Sequence, residues 1–89
     1  MSDTSRILVI DDEKNYLIVM QALLTDAGYD VTALNDPEMA LHFLDESEVD
    51  VVITDMKMPK LDGKEVLQRV KKSWPDVPVL IMTAFGSIE

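Results

Sequence analysis

The sequence predicts an α/β fold, a doubly wound and mostly parallel sheet with helices on both faces. Short aliphatic runs alternate with segments of helical spacing, in the order strand, helix, strand, helix, strand, helix, strand. The first aliphatic run shows no polar alternation, which is typical of a strand buried on both faces of a parallel sheet. At 89 residues the chain is at most one domain with one core.

The first strand and the first helix follow from hydrophobic patterning. Residues 6–10 are predicted to form a buried strand, because four of them are consecutive aliphatic residues. A helix is predicted to begin at Asp12 or Glu13 and to run to about Ala27, and Gly28 is a natural residue to end it. Five apolar residues are predicted to share one face of this helix: Tyr16, Met20, Leu23, Leu24 and Ala27.

The second strand and the second helix are shorter. Residues 30–33 are predicted to form the strand. At residues 35–37, the sequence Asn-Asp-Pro places a capping side chain before a proline at the first helical position. The helix is predicted to run to about Glu46 with an apolar stripe of Ala40, Leu41 and Leu44.

The second half of the chain repeats the alternation. The third strand ends at Asp55, and residues 59–63 form a loop rich in proline and glycine. The next helix carries Val66, Leu67, Val70 and Trp74 at helical spacing, and Pro75 closes it. Pro78 precedes a fourth strand at residues 79–82, and residues 87–89 are predicted to begin a further helix.

Three carboxylates follow two of the predicted strands. Asp55 ends the third strand, and Asp11 and Asp12 follow the first in the same way. If the second strand lies outside the first and the third lies on its other side, the chain reverses direction between strands one and three, and a crevice opens there. The three carboxylates would meet at this crevice, and Thr83 would face it from the adjoining strand end.

Carboxylates that lie this close repel one another unless a cation neutralises them. Oxygen ligands without Cys or a nearby His suit Mg²⁺ better than Zn²⁺. Because Mg²⁺ also bridges carboxylates and phosphoryl oxygens, the pattern favours Asp55 as a nucleophile toward a phosphoryl group. A hydroxyl at Thr83 would then hydrogen-bond the bound phosphoryl group.

At these residues the sequence resembles the receiver domain of two-component response regulators. The similar segments are LVIDDE at residues 8–13, VITDMKMP at 52–59 with Asp-Gly at 62–63, and PVLIMTA at 78–84. The resemblance implies a flavodoxin-like sheet of strand order 2-1-3-4. It also implies a role for each site residue: Asp55 as phosphoacceptor, Asp11, Asp12, Asp55 and the Lys57 backbone carbonyl as Mg²⁺ ligands, Thr83 as switch hydroxyl, and Ala84 beside the phosphoryl group.

The resemblance further implies partners and an activity. Asp55 would take a phosphoryl group from a histidine kinase and thereby regulate an output domain, which we expect to be transcriptional. Residues 82–89 look most like receivers attached to ATPase activators of transcription that work with an alternative sigma factor. The domain would be a signalling module, not an enzyme, with at most slow self-catalysed phosphorylation and dephosphorylation.

The sequence also departs from the family pattern. Residues 1–89 are expected to lack most of the fourth helix, the fifth strand with its aromatic switch residue and Lys, and the fifth helix. Without that Lys we expect weakened phosphorylation. The fourth strand would become a hydrophobic edge, so we expect self-association through it or through the adjacent helix face.

Composition excludes several other classes. A net charge of −9 argues against nucleic acid binding by this segment. No cysteine is present, no apolar run is long enough to span a bilayer, and the start lacks the basic residues of a secretory signal, so a cytoplasmic location without membrane contact is expected.

Two alternatives remain. One is an interaction or dimerisation module that keeps the fold without phosphorylation. The other, a phosphatase with an aspartyl nucleophile, is disfavoured because such enzymes usually carry a second acid two residues after the nucleophile, where this chain has Lys57. A dinucleotide site is excluded, since no glycine-rich turn follows the first strand.

Overall fold

The computed structural model describes residues 4–56, 58 and 61–82, and within them lie four strands and three helices. In chain order these are β1 (Arg6–Ile10), α1 (Lys14–Asp26), β2 (Asp30–Leu34), α2 (Pro37–Glu46), β3 (Val51–Asp55), α3 (Gly63–Ser73) and β4 (Val79–Met82). The predicted alternation is confirmed, and β2 is one residue longer than expected. The expected start of a helix at residues 87–89 lies outside the described residues.

The strands form one parallel sheet in the order β2-β1-β3-β4, which confirms the predicted architecture and strand order. β1 lies between β2 and β3, with Ile10 opposite Leu34 on one side and Thr54 on the other. The chain therefore moves to one side of β1 to form β2 and then crosses to the other side of β1 to form β3. A crevice at the carboxyl ends of β1 and β3 is the consequence.

The core consists of two apolar layers, one on each face of the sheet. Side chains of β1 alternate between them, so that Ile7 and Val9 pack toward α1, while Leu8 and Ile10 pack toward α2 and α3. The layer beneath α2 and α3 also contains Ala40, Leu44, Val52, Val66 and Val70. Both faces of β1 are thus covered, which explains its unbroken aliphatic run.

The predicted inward face of α1 is partly wrong. Leu17 is its buried residue, and Met20 and Leu24 pack beside it, whereas Tyr16 and Leu23 are 42% and 62% exposed. Ala27, also predicted on that face, is exposed and caps the helix end. Because α1 is apolar on several sides, spacing alone does not select the stripe that meets the sheet.

Side-chain caps begin α2 and α3. The Asp36 carboxylate accepts a hydrogen bond from the Glu38 N–H, with Pro37 at the first helical position as predicted. The Asp62 carboxylate accepts from the Glu65 N–H at 2.9 Å. α3 ends one residue before Trp74, which is half-buried against the core instead of lying within the helix.

None of the helices found in the described ranges is long and apolar enough to cross a membrane.

Candidate metal and phosphoryl site

The site lies at the carboxyl ends of β1 and β3. These strands pair in parallel with Ile10 opposite Thr54, so the residues that follow, Asp11 and Asp55, reach the same level of the sheet edge. Asp12 is the next residue along the loop to α1. Carboxylate oxygens of Asp11, Asp12 and Asp55 all lie within 4.8 Å of one another.

The three side chains differ in their access to solvent. Asp11 is 4% exposed, Asp55 is half-buried, and Asp12 is exposed. The group therefore has one carboxylate that is buried in the protein and one that is exposed to solvent. A small ion or a phosphoryl group can therefore reach the three carboxylates from the solvent-exposed side, where Asp12 lies.

Main-chain hydrogen bonds orient two of the carboxylates. Asp11 Oδ1 accepts from the Glu13 N–H at 2.9 Å, just before α1, and the Asp11 N–H donates to the Leu34 carbonyl at 3.2 Å. Asp55 Oδ1 accepts from the Met56 N–H at 2.9 Å. Both side chains are thus held by backbone groups next to the strand ends that carry them, which limits their rotation.

Asp11 is the carboxyl group of the site whose pKa is shifted by burial and by the neighbouring charges. Burial raises the pKa of the Asp11 carboxyl above its ordinary value, although the hydrogen bond from the Glu13 N–H acts to lower it. The neighbouring charges of Asp55, Asp12 and Glu13 raise that pKa further. A buried carboxylate among other carboxylates favours any ligand that brings positive charge.

The donor set fits a hard divalent cation. It consists of carboxylate oxygens with access to solvent on one side, the ligand type that Mg²⁺ prefers together with water. In the part of the chain that the structure describes, no other group of three acidic, histidine or cysteine side chains comes this close. Asp11, Asp12 and Asp55 would hold the ion.

Three sequence-predicted site residues cannot be placed in the same way. Lys57, Thr83 and Ala84 lie outside the described residues. Their predicted roles as carbonyl ligand, switch hydroxyl and pocket residue rest on the sequence alone.

Sequence reasoning gave no role to two residues that contact the backbone of the proposed phosphoacceptor. Thr54 is fully buried, and its hydroxyl donates to the Asp55 carbonyl at 3.0 Å. Gly63, the first residue of α3, lies so close that a Cβ built there would be 2.6 Å from the same carbonyl oxygen. Two features of the sequence could have indicated them. Thr54 is a hydroxyl residue inside an otherwise aliphatic run, and Gly63 is a glycine at the start of a helix.

Acidic side chains at the ends of adjacent parallel strands, where the chain reverses direction, define an α/β protein with its binding site at the switch point of the sheet. More particularly, the chain belongs to the response regulator receiver domain family, whose family model matches residues 7–89. The resemblance inferred from the sequence is confirmed.

Curated relatives are transcriptional regulators. The transcriptional regulatory protein ZraR of Escherichia coli is 40% identical over 87 residues, which is 98% of this chain and 20% of that protein. The transcriptional regulatory protein GlrR of the same species is 34% identical over 94% of this chain and 19% of its own length. The chain spans about a fifth of the length of these relatives.

Solved structures agree with the fold. The response regulator receiver domain protein from Clostridium thermocellum has a TM-score of 0.87 and 42% identity, over 92% of this chain and 67% of that chain. The response regulator TrrA of Thermotoga maritima, solved with Mg²⁺ and beryllium fluoride, has a TM-score of 0.88 and 33% identity, over 92% of this chain and 71% of that chain. TrrA has also been solved with the histidine kinase ThkA.

Proposed function

We propose that Asp55 accepts a phosphoryl group from a histidine kinase, with Mg²⁺ held by Asp11, Asp12 and Asp55, and that this modification regulates an output domain. The observation that carries the proposal is the convergence of three carboxylates within 4.8 Å at the ends of β1 and β3. The complex of TrrA with ThkA and the regulatory names of ZraR and GlrR support the partner and a transcriptional output.

The transfer needs one nucleophilic oxygen. A carboxylate oxygen of Asp55 forms a P–O bond as the P–N bond to the imidazole of the kinase breaks, and the leaving nitrogen keeps the electron pair and takes up a proton from solvent. The Met56 N–H, which donates to Asp55 Oδ1, restricts rotation of the carboxylate during the attack. The half-buried position of Asp55 limits the access of water to the product.

The other carboxylates prepare the site for an anionic reactant. Asp11 and Asp12 place negative charge where only a cation makes the approach of a phosphoryl group favourable. A bound Mg²⁺ would supply that positive charge and so lower the barrier to the approach of an anionic phosphoryl group. Lys57, Thr83 and Ala84 keep the roles that the family resemblance implies, as part of the proposal.

Phosphoryl incorporation tests the proposal. The 89-residue chain is incubated with a small acyl phosphate and Mg²⁺, and intact mass spectrometry counts phosphoryl groups. We expect one group per chain, lost in Asp55→Asn and when Mg²⁺ is chelated. Asp45→Asn is the matched control, since Asp45 lies exposed on α2 and is not among the grouped carboxylates.

Binding of Mg²⁺ with beryllium fluoride, followed by fluorine NMR, is the second measurement, because it does not depend on phosphodonor reactivity. Incorporation that survives in Asp55→Asn contradicts the assignment of the phosphoacceptor. Absence of both incorporation and beryllium fluoride binding in the unmodified chain favours the interaction module. The weakened phosphorylation expected from the sequence is read from the same assay, by comparison with the response regulator TrrA.

Self-association through β4 is a further part of the proposal. β4 is the outer strand of the sheet among the described residues, and Leu80 in its middle is 55% exposed. We expect the 89-residue chain to form dimers or larger species at high concentration, and Leu80→Lys to reduce them. Sedimentation velocity measures this, and a monomeric profile at every concentration contradicts it.

A further inference from the structure

Hydrogen bonds hold the backbone of Asp55 and Met56 from several sides. The Thr54 hydroxyl donates to the Asp55 carbonyl at 3.0 Å. The Gly63 N–H donates to the Met56 carbonyl at 2.7 Å, and the Met56 N–H donates to both Asp55 Oδ1 and the Met82 carbonyl at 2.9 Å. Contacts from β3, α3 and β4 therefore meet on the backbone that carries the proposed phosphoacceptor.

Gly63 makes the closest of these approaches. A Cβ at this position would lie 2.6 Å from the Asp55 carbonyl oxygen, 2.9 Å from Met56 Cα and 3.3 Å from the Asp55 carbonyl carbon. All three are backbone atoms, so rotation of a side chain cannot relieve the overlap. The requirement for glycine is steric, because among the described glycines only Gly28 has a positive φ.

We propose that Gly63 is a positioning residue for Asp55. Its missing side chain lets the first turn of α3 lie against the Asp55–Met56 peptide, which sets the direction of the Asp55 carboxylate toward Asp11 and Asp12. The inference rests on the proposed function, since it assigns a role around the same carboxylate.

The packing of α3 determines what a residue larger than glycine would do at position 63. α3 is tied to the core by Val66 and Val70, both fully buried, so the helix resists displacement. With alanine at position 63, the Asp55 carbonyl must move by roughly 0.8 Å to reach ordinary contact distance. Helix propensity alone favours alanine over glycine, so propensity and geometry predict opposite outcomes.

The matched variants are Gly63→Ala and Gly28→Ala. Gly28 has φ +102°, and a Cβ there meets nothing within 4 Å, so its substitution strains the backbone far from Asp55. We expect Gly63→Ala to weaken Mg²⁺ binding by about tenfold or more. Gly28→Ala should lower the urea midpoint yet leave the Mg²⁺ dissociation constant within about twofold. Calorimetric titration with Mg²⁺ alone and urea unfolding give both quantities.

A second series covers the case in which Gly63→Ala does not fold. Thr54→Val keeps the shape of the side chain but removes the hydroxyl that donates to the Asp55 carbonyl. Thr54→Ser keeps a hydroxyl at this position and is the conservative control. If the placement of this peptide controls the direction of the carboxylate, Thr54→Val weakens Mg²⁺ binding several-fold, and Thr54→Ser binds Mg²⁺ as the unmodified chain does. A folded Gly63→Ala with unchanged Mg²⁺ affinity overturns the inference, as does an unchanged affinity in Thr54→Val when Gly63→Ala is unfolded.

Failure of the proposed function has a different signature. If the unmodified chain binds no Mg²⁺, the metal site is wrong, and positioning is then judged from amide hydrogen exchange at Met56. The Met56 N–H bonds to Asp55 Oδ1 and to the Met82 carbonyl, so displacement of the peptide exposes it. We expect faster exchange at Met56 in Gly63→Ala and not in Gly28→Ala, and equal rates in the two variants contradict the inference.

Discussion

The two ends of the sheet are both acidic, but among the described residues only the carboxyl end brings three carboxylates together. At the amino end, a cavity of about 520 Å³ is lined by Asp45, Glu46, Glu48 and Asp50 together with apolar side chains. All four of these acidic residues are exposed. At the carboxyl end, three carboxylates converge within 4.8 Å, and one of them is buried. A candidate metal site therefore does not follow from the number of acidic residues. It requires that their carboxylates converge and that one of them, here Asp11, is buried.

This difference has a topological origin. The carboxyl ends of β1 and β3 are neighbours in the sheet, and the chain leaves them toward helices on opposite faces, so the loops diverge and the strand-end side chains are left together. At the amino end, the four acidic residues belong to one continuous stretch, residues 45–50, and all of them are exposed to solvent. Solvent screens them individually.

The largest expected difference between the two ends is in metal affinity. The double variant Asp11→Asn with Asp12→Asn removes two of the three grouped carboxylates, and we expect Mg²⁺ affinity to fall by about a hundredfold or more. The matched control is Asp45→Asn with Glu48→Gln, which removes the same charge at the amino end. Titration calorimetry with Mg²⁺ compares them. Equal losses in both variants would show that overall charge, and not convergence, controls binding.

Burial also distinguishes side chains of the same type on α1, as it distinguishes the carboxylates at the two ends of the sheet. Leu17 is 7% exposed and Leu23 is 62% exposed, although both are leucines of one helix. We expect Leu17→Ala to lower the free energy of unfolding by about 2–3 kcal/mol and Leu23→Ala to change it by less than about 0.5 kcal/mol. Urea unfolding measures both, and equal effects would contradict the observed orientation of α1.

The sequence predicts these features unequally, for physical reasons. Asp11, Asp12 and Asp55 are predictable because residues that end adjacent parallel strands must share an edge. The orientation of α1 is less predictable, since Leu17 and Leu23 are both apolar and only the packing against the sheet distinguishes them. The contact of Gly63 with the Asp55 carbonyl is not predictable from spacing, because it depends on how closely α3 approaches the end of β3, where differences of tenths of an ångström decide whether a Cβ fits.

A smaller effect is expected on stability, and it is opposite in sign to the effect on metal binding. Asp11→Asn removes a buried charge close to Asp55 and Asp12, and the amide oxygen can still accept the hydrogen bond from the Glu13 N–H. In the presence of a chelator at neutral pH, we expect this variant to be about 1 kcal/mol more stable than the unmodified chain. The control Glu48→Gln, at an exposed position of the amino end, should change stability by less than about 0.5 kcal/mol.

The difference in stability between Asp11→Asn and the unmodified chain should depend on pH, and the pKa of Asp11 fixes the sign of that dependence. Its pKa in the folded chain is raised above the ordinary value of 3.8, chiefly by burial, so the folded chain holds that proton more tightly than the unfolded chain does. The stabilisation from this proton is complete below pH 3.8 and is lost as the pH rises through the raised pKa of the folded chain. Metal-free urea unfolding should therefore give an advantage of Asp11→Asn over the unmodified chain that grows from low pH to neutral pH and then stays constant. An advantage that shrinks over this range would show that the Asp11 carboxylate is stabilised in the folded chain, and would remove the electrostatic reason for the site to favour a cation.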